Sequence, residues 1–120
     1  MEMLLLLLVL LQVKHCYFDF LNQSQEEIQH KGTYLDWRGV KHSVKHGLGT
    51  FICFIIITGW SNIVFCILIG VLDMLLHYHI DWFKMNKGNT DIKTNEFWHH
   101  FGLDQLAHQL TYVFLIFISL

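Results

Sequence analysis

Four stretches of this 120-residue chain, about 3–21, 40–59, 63–84 and 95–120, are mostly apolar, and every one of them also carries ionisable side chains. A membrane helix needs about 20 consecutive, mostly apolar residues. The middle two stretches fit that requirement best, because 48–58 and 63–72 are almost purely apolar. Composition agrees: charged residues make up 15% and proline is absent, where a soluble domain carries about 25% charged residues. The expectation is an all-α polytopic membrane protein, a four-helix transmembrane bundle forming one domain over residues 1–120. The 53% hydrophobic content excludes disorder. A net charge of −2 with no basic face argues against nucleic acid as a partner, which leaves the lipid bilayer.

The basic residues orient the spans. Lys31, Arg38, Lys41 and Lys45 lie in or beside the loop at 22–39, and Lys84, Lys87 and Lys93 lie in or beside the turn at 85–94. The Trp60–Asn62 connection and both chain ends lack Lys and Arg. The positive-inside rule then places the two basic loops in the cytoplasm and both termini outside. Trp37, Trp82 and Trp98 read as inner interface anchors and Trp60 as an outer one. The apolar start resembles a signal peptide, but it has an acidic n-region and no small-residue cleavage site, so it reads as a retained helix with no accessory domain before it. Cys16, Cys53 and Cys66 each sit in an apolar run and read as small buried hydrophobes.

Each span carries a pair of candidate ligands at i, i+4, which places both side chains on one helical face. The pairs are His15 and Asp19, His42 and His46, His77 and Asp81, and Asp104 and His108. Alternating topology brings all eight into the cytoplasmic half at similar depth. An ionised aspartate facing lipid at the helix centre costs about 2.5–3.5 kcal/mol, so these groups must face the bundle interior. Imidazole with carboxylate suits Zn, Mn or Fe, and eight candidates suffice for one or two ions. Gln23, Asp73, His100 and Gln105 extend the stripes and read as residues that orient the ligands. Asp73, the deepest, also reads as a protonated partner between helices. His30, His79 and His99 fall off the stripe as interfacial residues. Lys14 reads as a snorkelling side chain, Lys41 and Lys45 as topology determinants, and Gly47, Gly49 and Gly70 as points of close helix approach.

No HExxH, Walker loop, GxSxG or EF-hand pattern is present. Catalysis would therefore rest on metal-activated water, with Asp81 as the candidate proton acceptor and an ester or phosphoester near Lys41, Lys45 and Lys84 as substrate.

The stretches His15-Cys-Tyr-Phe-Asp19-Phe-Leu-Asn-Gln23, Lys41-His42-Ser43-Val44-Lys45-His46-Gly47, His77-Tyr-His-Ile-Asp81-Trp82-Phe-Lys84 and Asp104-Gln105-Leu-Ala-His108 together carry a family resemblance. The chain resembles domain-of-unknown-function family 3307, small integral membrane proteins of phages and bacteria, over most of its length. Asn22 departs from the apolar residue expected before Gln23. The resemblance implies a multi-pass protein of a bacterial host inner membrane and supplies motif positions, with no mechanism. Three classes stay open: a metal-dependent hydrolase, a non-enzymatic phage membrane factor (lysis or superinfection exclusion) acting through homo-oligomers or another membrane protein, and an ion- or proton-conducting protein.

Overall fold

The computed structural model describes all 120 residues and contains helices and turns only. Helix α1 covers Glu2–Cys16 and continues as a π-helical turn over Tyr17–Leu21. A short α2 spans Gln25–His30, α3 spans Trp37–Thr58, α4 spans Ile63–Lys87 and α5 spans Asn95–Phe117. The Trp60–Asn62 connection between α3 and α4 is one 3₁₀ turn. Three segments, Glu2–Leu21, Trp37–Thr58 and Trp60–Lys87, are long and apolar enough to cross a membrane. At 1.5 Å per residue, the 22 residues of α3 reach about 33 Å, enough for a hydrocarbon core of about 30 Å. Helix α5 is as long, but Glu96, His99, His100, Asp104 and His108 dilute its first half.

The boundaries shift from the sequence reading for local reasons. Helix α3 begins at Trp37, because Asp36 accepts the Arg38 N–H at 2.9 Å as an N-cap. It ends where Gly59 adopts φ +74°, a conformation that costs glycine nothing. Helix α4 runs on to Lys87, three residues beyond the expected end. The expected polar loop at 22–39 contains α2, started by a capping box. In that box the Ser24 hydroxyl accepts the Glu27 N–H and the Glu27 carboxylate accepts the Ser24 N–H. Cys53 and Cys66 are buried as expected, whereas Cys16 is exposed.

The four long helices form a closed ring, α1 against α3, α3 against α4, α4 against α5 and α5 against α1, with α2 lying on α3. The closest approach is between α3 and α4. A Cβ on Gly47 would lie 2.6 Å from the Gly70 carbonyl oxygen, and one on Gly70 would lie 2.7 Å from that of Gly47. Gly49 leaves space for the Lys14 side chain, which a Cβ would meet at 2.6 Å. The two ends of the ring differ in chemistry. Around Trp60 the interior is an apolar plug of Leu7, Leu11, Cys53, Phe54, Cys66, Ile69 and Leu115. Beyond it the interior is polar, and across the molecule buried polar and charged side chains outnumber buried hydrophobic ones while Leu5, Val9, Val13, Ile56 and Leu68 lie exposed. A polar interior under an apolar exterior inverts the usual pattern of a water-soluble domain.

Candidate metal centre

The ring builds its polar half in three successive layers, each with one side chain from every long helix. On α3, α4 and α5 the members are four residues apart, which keeps them on one face. The first layer, against the apolar plug, is Lys14, Thr50, Asp73 and Tyr112. Lys14 Nζ donates to Asp73 Oδ2 at 2.9 Å and to Tyr112 Oη at 3.1 Å, and the Thr50 hydroxyl donates to Asp73 Oδ2 at 2.6 Å. Lys14 is therefore a buried, paired cation rather than a snorkelling one. Asp73 joins three helices, accepting from Lys14 on α1 and Thr50 on α3, the inter-helix role expected from the sequence.

The second layer is four imidazoles, His15, His46, His77 and His108. The His46 and His77 rings stack with centroids 3.5 Å apart and planes 20° apart, and His108 lies 4.2 Å from His77. The third layer is Asp19, His42, Asp81 and Asp104. Ligand atoms of these eight residues fall into three groups, each within 4.8 Å: Asp19, His42, His46 and His77; His15, His77 and His108; and Asp81, Asp104 and His108.

The first group has the dimensions of a coordination shell. Asp19 Oδ1 lies 2.9 Å from His42 Nε2, 3.2 Å from His46 Nε2 and 3.7 Å from His77 Nε2, and His42 and His77 present Nε2 to each other at 3.2 Å. Four donors held about 2.0–2.1 Å from a tetrahedral zinc lie about 3.3–3.4 Å apart, so the spread brackets that geometry. Asp81 connects this group to the third one: Oδ2 is 3.3 Å from His77 Nε2 and 3.6 Å from His42 Nε2, while Oδ1 is 3.5 Å from His108 Nε2. Asp81 thus faces the nitrogen atoms of both groups from between them.

Some of the polar atoms here are not satisfied by their neighbours. His46 Nε2, His77 Nδ1, His108 Nε2 and Asp104 Oδ1 are buried without a well-aligned hydrogen bond. An unpaired buried polar atom costs about 1–3 kcal/mol, and a shared cation would satisfy several of these at once. The residues thus fit a metal by donor type, spacing and unmet valence.

His15 does different work from the other three imidazoles. Lys14 donates to Tyr112, which directs the phenol O–H to His15 Nδ1 at 2.9 Å. The His15 proton then sits on Nε2, facing Gln105 Oε1 at 3.0 Å and Asp19 Oδ2 at 3.2 Å. His15 orients Asp19, and Gln105 in turn donates to Asp104 Oδ2 at 3.1 Å. Asp19 itself lies in the π-helical turn, which re-aims it relative to a regular α-helix.

The loop after α2 closes the third layer. Asn86 donates to the Gly32 carbonyl at 2.9 Å, and the Leu35 N–H donates to Tyr78 Oη at 2.6 Å, so the loop is tied to α4 at two points. Just before the first of them, at the C-terminal end of α2, Lys31 reaches in, 2.8 Å from Asp81 Oδ2 and 3.7 Å from Asp19 Oδ1. Burial opposes the charge on Lys31, but the Asp81 and Asp19 carboxylates outweigh it and hold the ammonium above its ordinary range. Gln23 contacts His42 at 3.2 Å.

All eight sequence-predicted ligands converge, with Gln23 and Gln105 beside them. His100 does not join them, since its Nδ1 accepts the Asn89 N–H at 2.8 Å near the outer face of α5. Lys14, Lys31 and Tyr112 were missed as site residues. Tyr112 continues the 104–108 stripe by one turn and was open to prediction, whereas Lys31 comes from a loop that no helical period describes.

A family model described as "Protein of unknown function (DUF3307)" matches residues 6–120, a span that includes every residue of the three layers. The chain belongs to that family. No curated protein and no solved structure matches it. Family membership therefore rests on nearly the whole chain, while the chemistry rests on the geometry above.

Proposed function

We propose that this chain is a four-span metalloprotein of a bacterial inner membrane that binds one or two transition metal ions, zinc foremost, and hydrolyses an ester or phosphoester at the membrane surface. In this reading α5 is the fourth span, both termini face outward, and the polar layers lie in the cytoplasmic half, beside the cluster of basic residues. The observation that carries it is the convergence of eight His and Asp side chains from four helices, with several buried ring nitrogens lacking a well-aligned hydrogen bond.

A divalent ion held here would supply a Lewis acid able to activate water near neutral pH. Asp19, His42, His46 and His77 form one holding set; His108 and Asp104 form the other. Asp81 lies between the sets and is the proton acceptor. Lys31, 2.8 Å from Asp81, balances its charge and is placed to bind an anionic oxygen of substrate. Charged groups in such a water-poor site act more strongly than in bulk water.

Elemental mass spectrometry of the detergent-purified protein tests the metal, with His77→Ala and Asp104→Ala as controls and circular dichroism as the fold check. One or two ions per chain, lost in both variants, is the expected result. Stoichiometric metal without hydrolysis of phosphoester, carboxyl ester or lipid substrates would keep the centre and reject the hydrolase. The Asp73–Lys14–Tyr112–His15 chain of hydrogen bonds favours a second reading, a proton relay. Proton flux through liposomes by a protein that takes up no metal would make that the better account.

A further inference from the structure

A cavity of about 640 Å³ lies between α4 and α5, on the outer side of the metal centre, within the size range of small-molecule sites. Its two ends differ. Lys84, Lys87 and His100 line the end towards the α4–α5 turn; Leu76, Leu103 and Ala107 line the end towards the middle of the helices, beside His79, whose Nδ1 is tied to the Leu75 carbonyl. The helices are antiparallel neighbours, so the polar-to-apolar gradient runs along the helix axes, from the basic turn into the apolar depth. This is the polarity of a phospholipid lying in one leaflet, headgroup at the interface and chain alongside the protein.

The polar end is suited to an anion. Lys84 and Lys87 bring two ammonium groups, and the only acidic wall residue, Asp104, lies 4.0 Å from the Lys84 ammonium. His100 accepts the Asn89 N–H through Nδ1, which leaves its proton on Nε2 as a donor. The same Asp104 belongs to the Asp81–Asp104–His108 group, so the cavity wall is also the wall of the metal centre.

We propose that this groove binds one anionic phospholipid of the cytoplasmic leaflet, with its phosphate at Lys84, Lys87 and His100 and an acyl chain along Leu76, Leu103 and Ala107. The inference supplies the substrate class of the hydrolase and rests on that reading for turnover. Binding requires only the groove.

The test uses the full chain in phosphatidylcholine nanodiscs carrying a trace of acyl-diazirine phosphatidylglycerol or acyl-diazirine phosphatidylcholine, with photolabelled residues mapped by mass spectrometry. The expected result is labelling concentrated on α4 and α5 at the groove, at least about tenfold greater for the anionic probe. A Lys84→Gln/Lys87→Gln variant should lose about tenfold or more of that selectivity, since each lysine near an anionic lipid contributes roughly fivefold. Ala107→Trp should block labelling of the apolar end while metal content stays at the wild-type level. Equal labelling by both probes, labelling spread evenly over all helices, or displacement of the lipid by millimolar inorganic phosphate would overturn the proposal. Selective labelling without lipid turnover upholds the groove and rejects the hydrolase. Hydrolysis of a soluble phosphoester without selective labelling rejects the groove alone.

Discussion

Lys14 and Asp73 are the deepest charged pair in the molecule, and removing one member should expose how much the fold depends on the other. Asp73 is 1% exposed and Lys14 is 7% exposed, with 2.9 Å between Nζ and Oδ2. At an effective dielectric of about 20, two charges at that separation attract by about 6 kcal/mol, most of it spent on their desolvation. Asp73→Asn removes the attraction and leaves the desolvation of Lys14 uncompensated, a loss of about 3–5 kcal/mol. Lys14→Met leaves Asp73 with only the Thr50 hydroxyl and should cost a similar amount. The double variant leaves no charge in this layer and should be less destabilised than either single one. Equilibrium unfolding in mixed micelles, followed by circular dichroism, gives the four free energies of the cycle. Additivity of the two single effects to within about 0.5 kcal/mol would show that the pair is uncoupled and refute the reasoning. Because Tyr112 takes a hydrogen bond from Lys14 and passes one to His15, Asp73→Asn should also loosen Asp19 and weaken metal binding by about 10–100-fold.

Two further predictions concern parts of the fold outside the polar layers. Gly70→Ala should cost about 1–3 kcal/mol in the same unfolding assay, because its Cβ meets the Gly47 carbonyl at 2.7 Å and α3 must move off α4. Gly102→Ala has nothing within 4 Å and should be neutral or stabilising. Glu27 titrates below the ordinary range, since burial raises it but the Lys45 ammonium at 2.7 Å and the Ser24 N–H lower it further. A depressed folded-state pKa contributes stability above the unfolded value, so wild type should exceed Glu27→Gln by about 1 kcal/mol at neutral pH. That gap should close as pH falls through about 4.5 and into the folded-state titration, and a gap that persisted at low pH would assign it to packing.

Much of the architecture was readable in the residues. The i, i+4 spacing of the His and Asp pairs is a helical period, and in an apolar segment an unpaired charge has only the bundle interior to face. Those two facts place all eight candidate ligands in one place without coordinates. The short Trp60–Asn62 connection likewise forces α3 and α4 to be antiparallel neighbours, and Gly47 and Gly70 were candidates for the close approach that the structure places between them. His100 shows where periodicity misleads: it lies four residues before Asp104 on the same stripe, yet at the helix start it turns to the Asn89 backbone and the α4–α5 groove.

What the residues alone determined, then, is that four helical stripes of His and Asp must share an interior, because hydropathy and helical period are properties of each segment alone. Which groups meet there is a tertiary matter. Only packing of α1 against α3 and α5 sets Lys14 on Asp73 and directs the Tyr112 proton to His15. A π-helical turn aims Asp19 at three imidazole nitrogens, and two hydrogen bonds to α4 hold the loop that carries Lys31 to Asp81. Such contacts join residues distant in sequence, and they depend on ångström-scale helix positions that no local pattern encodes.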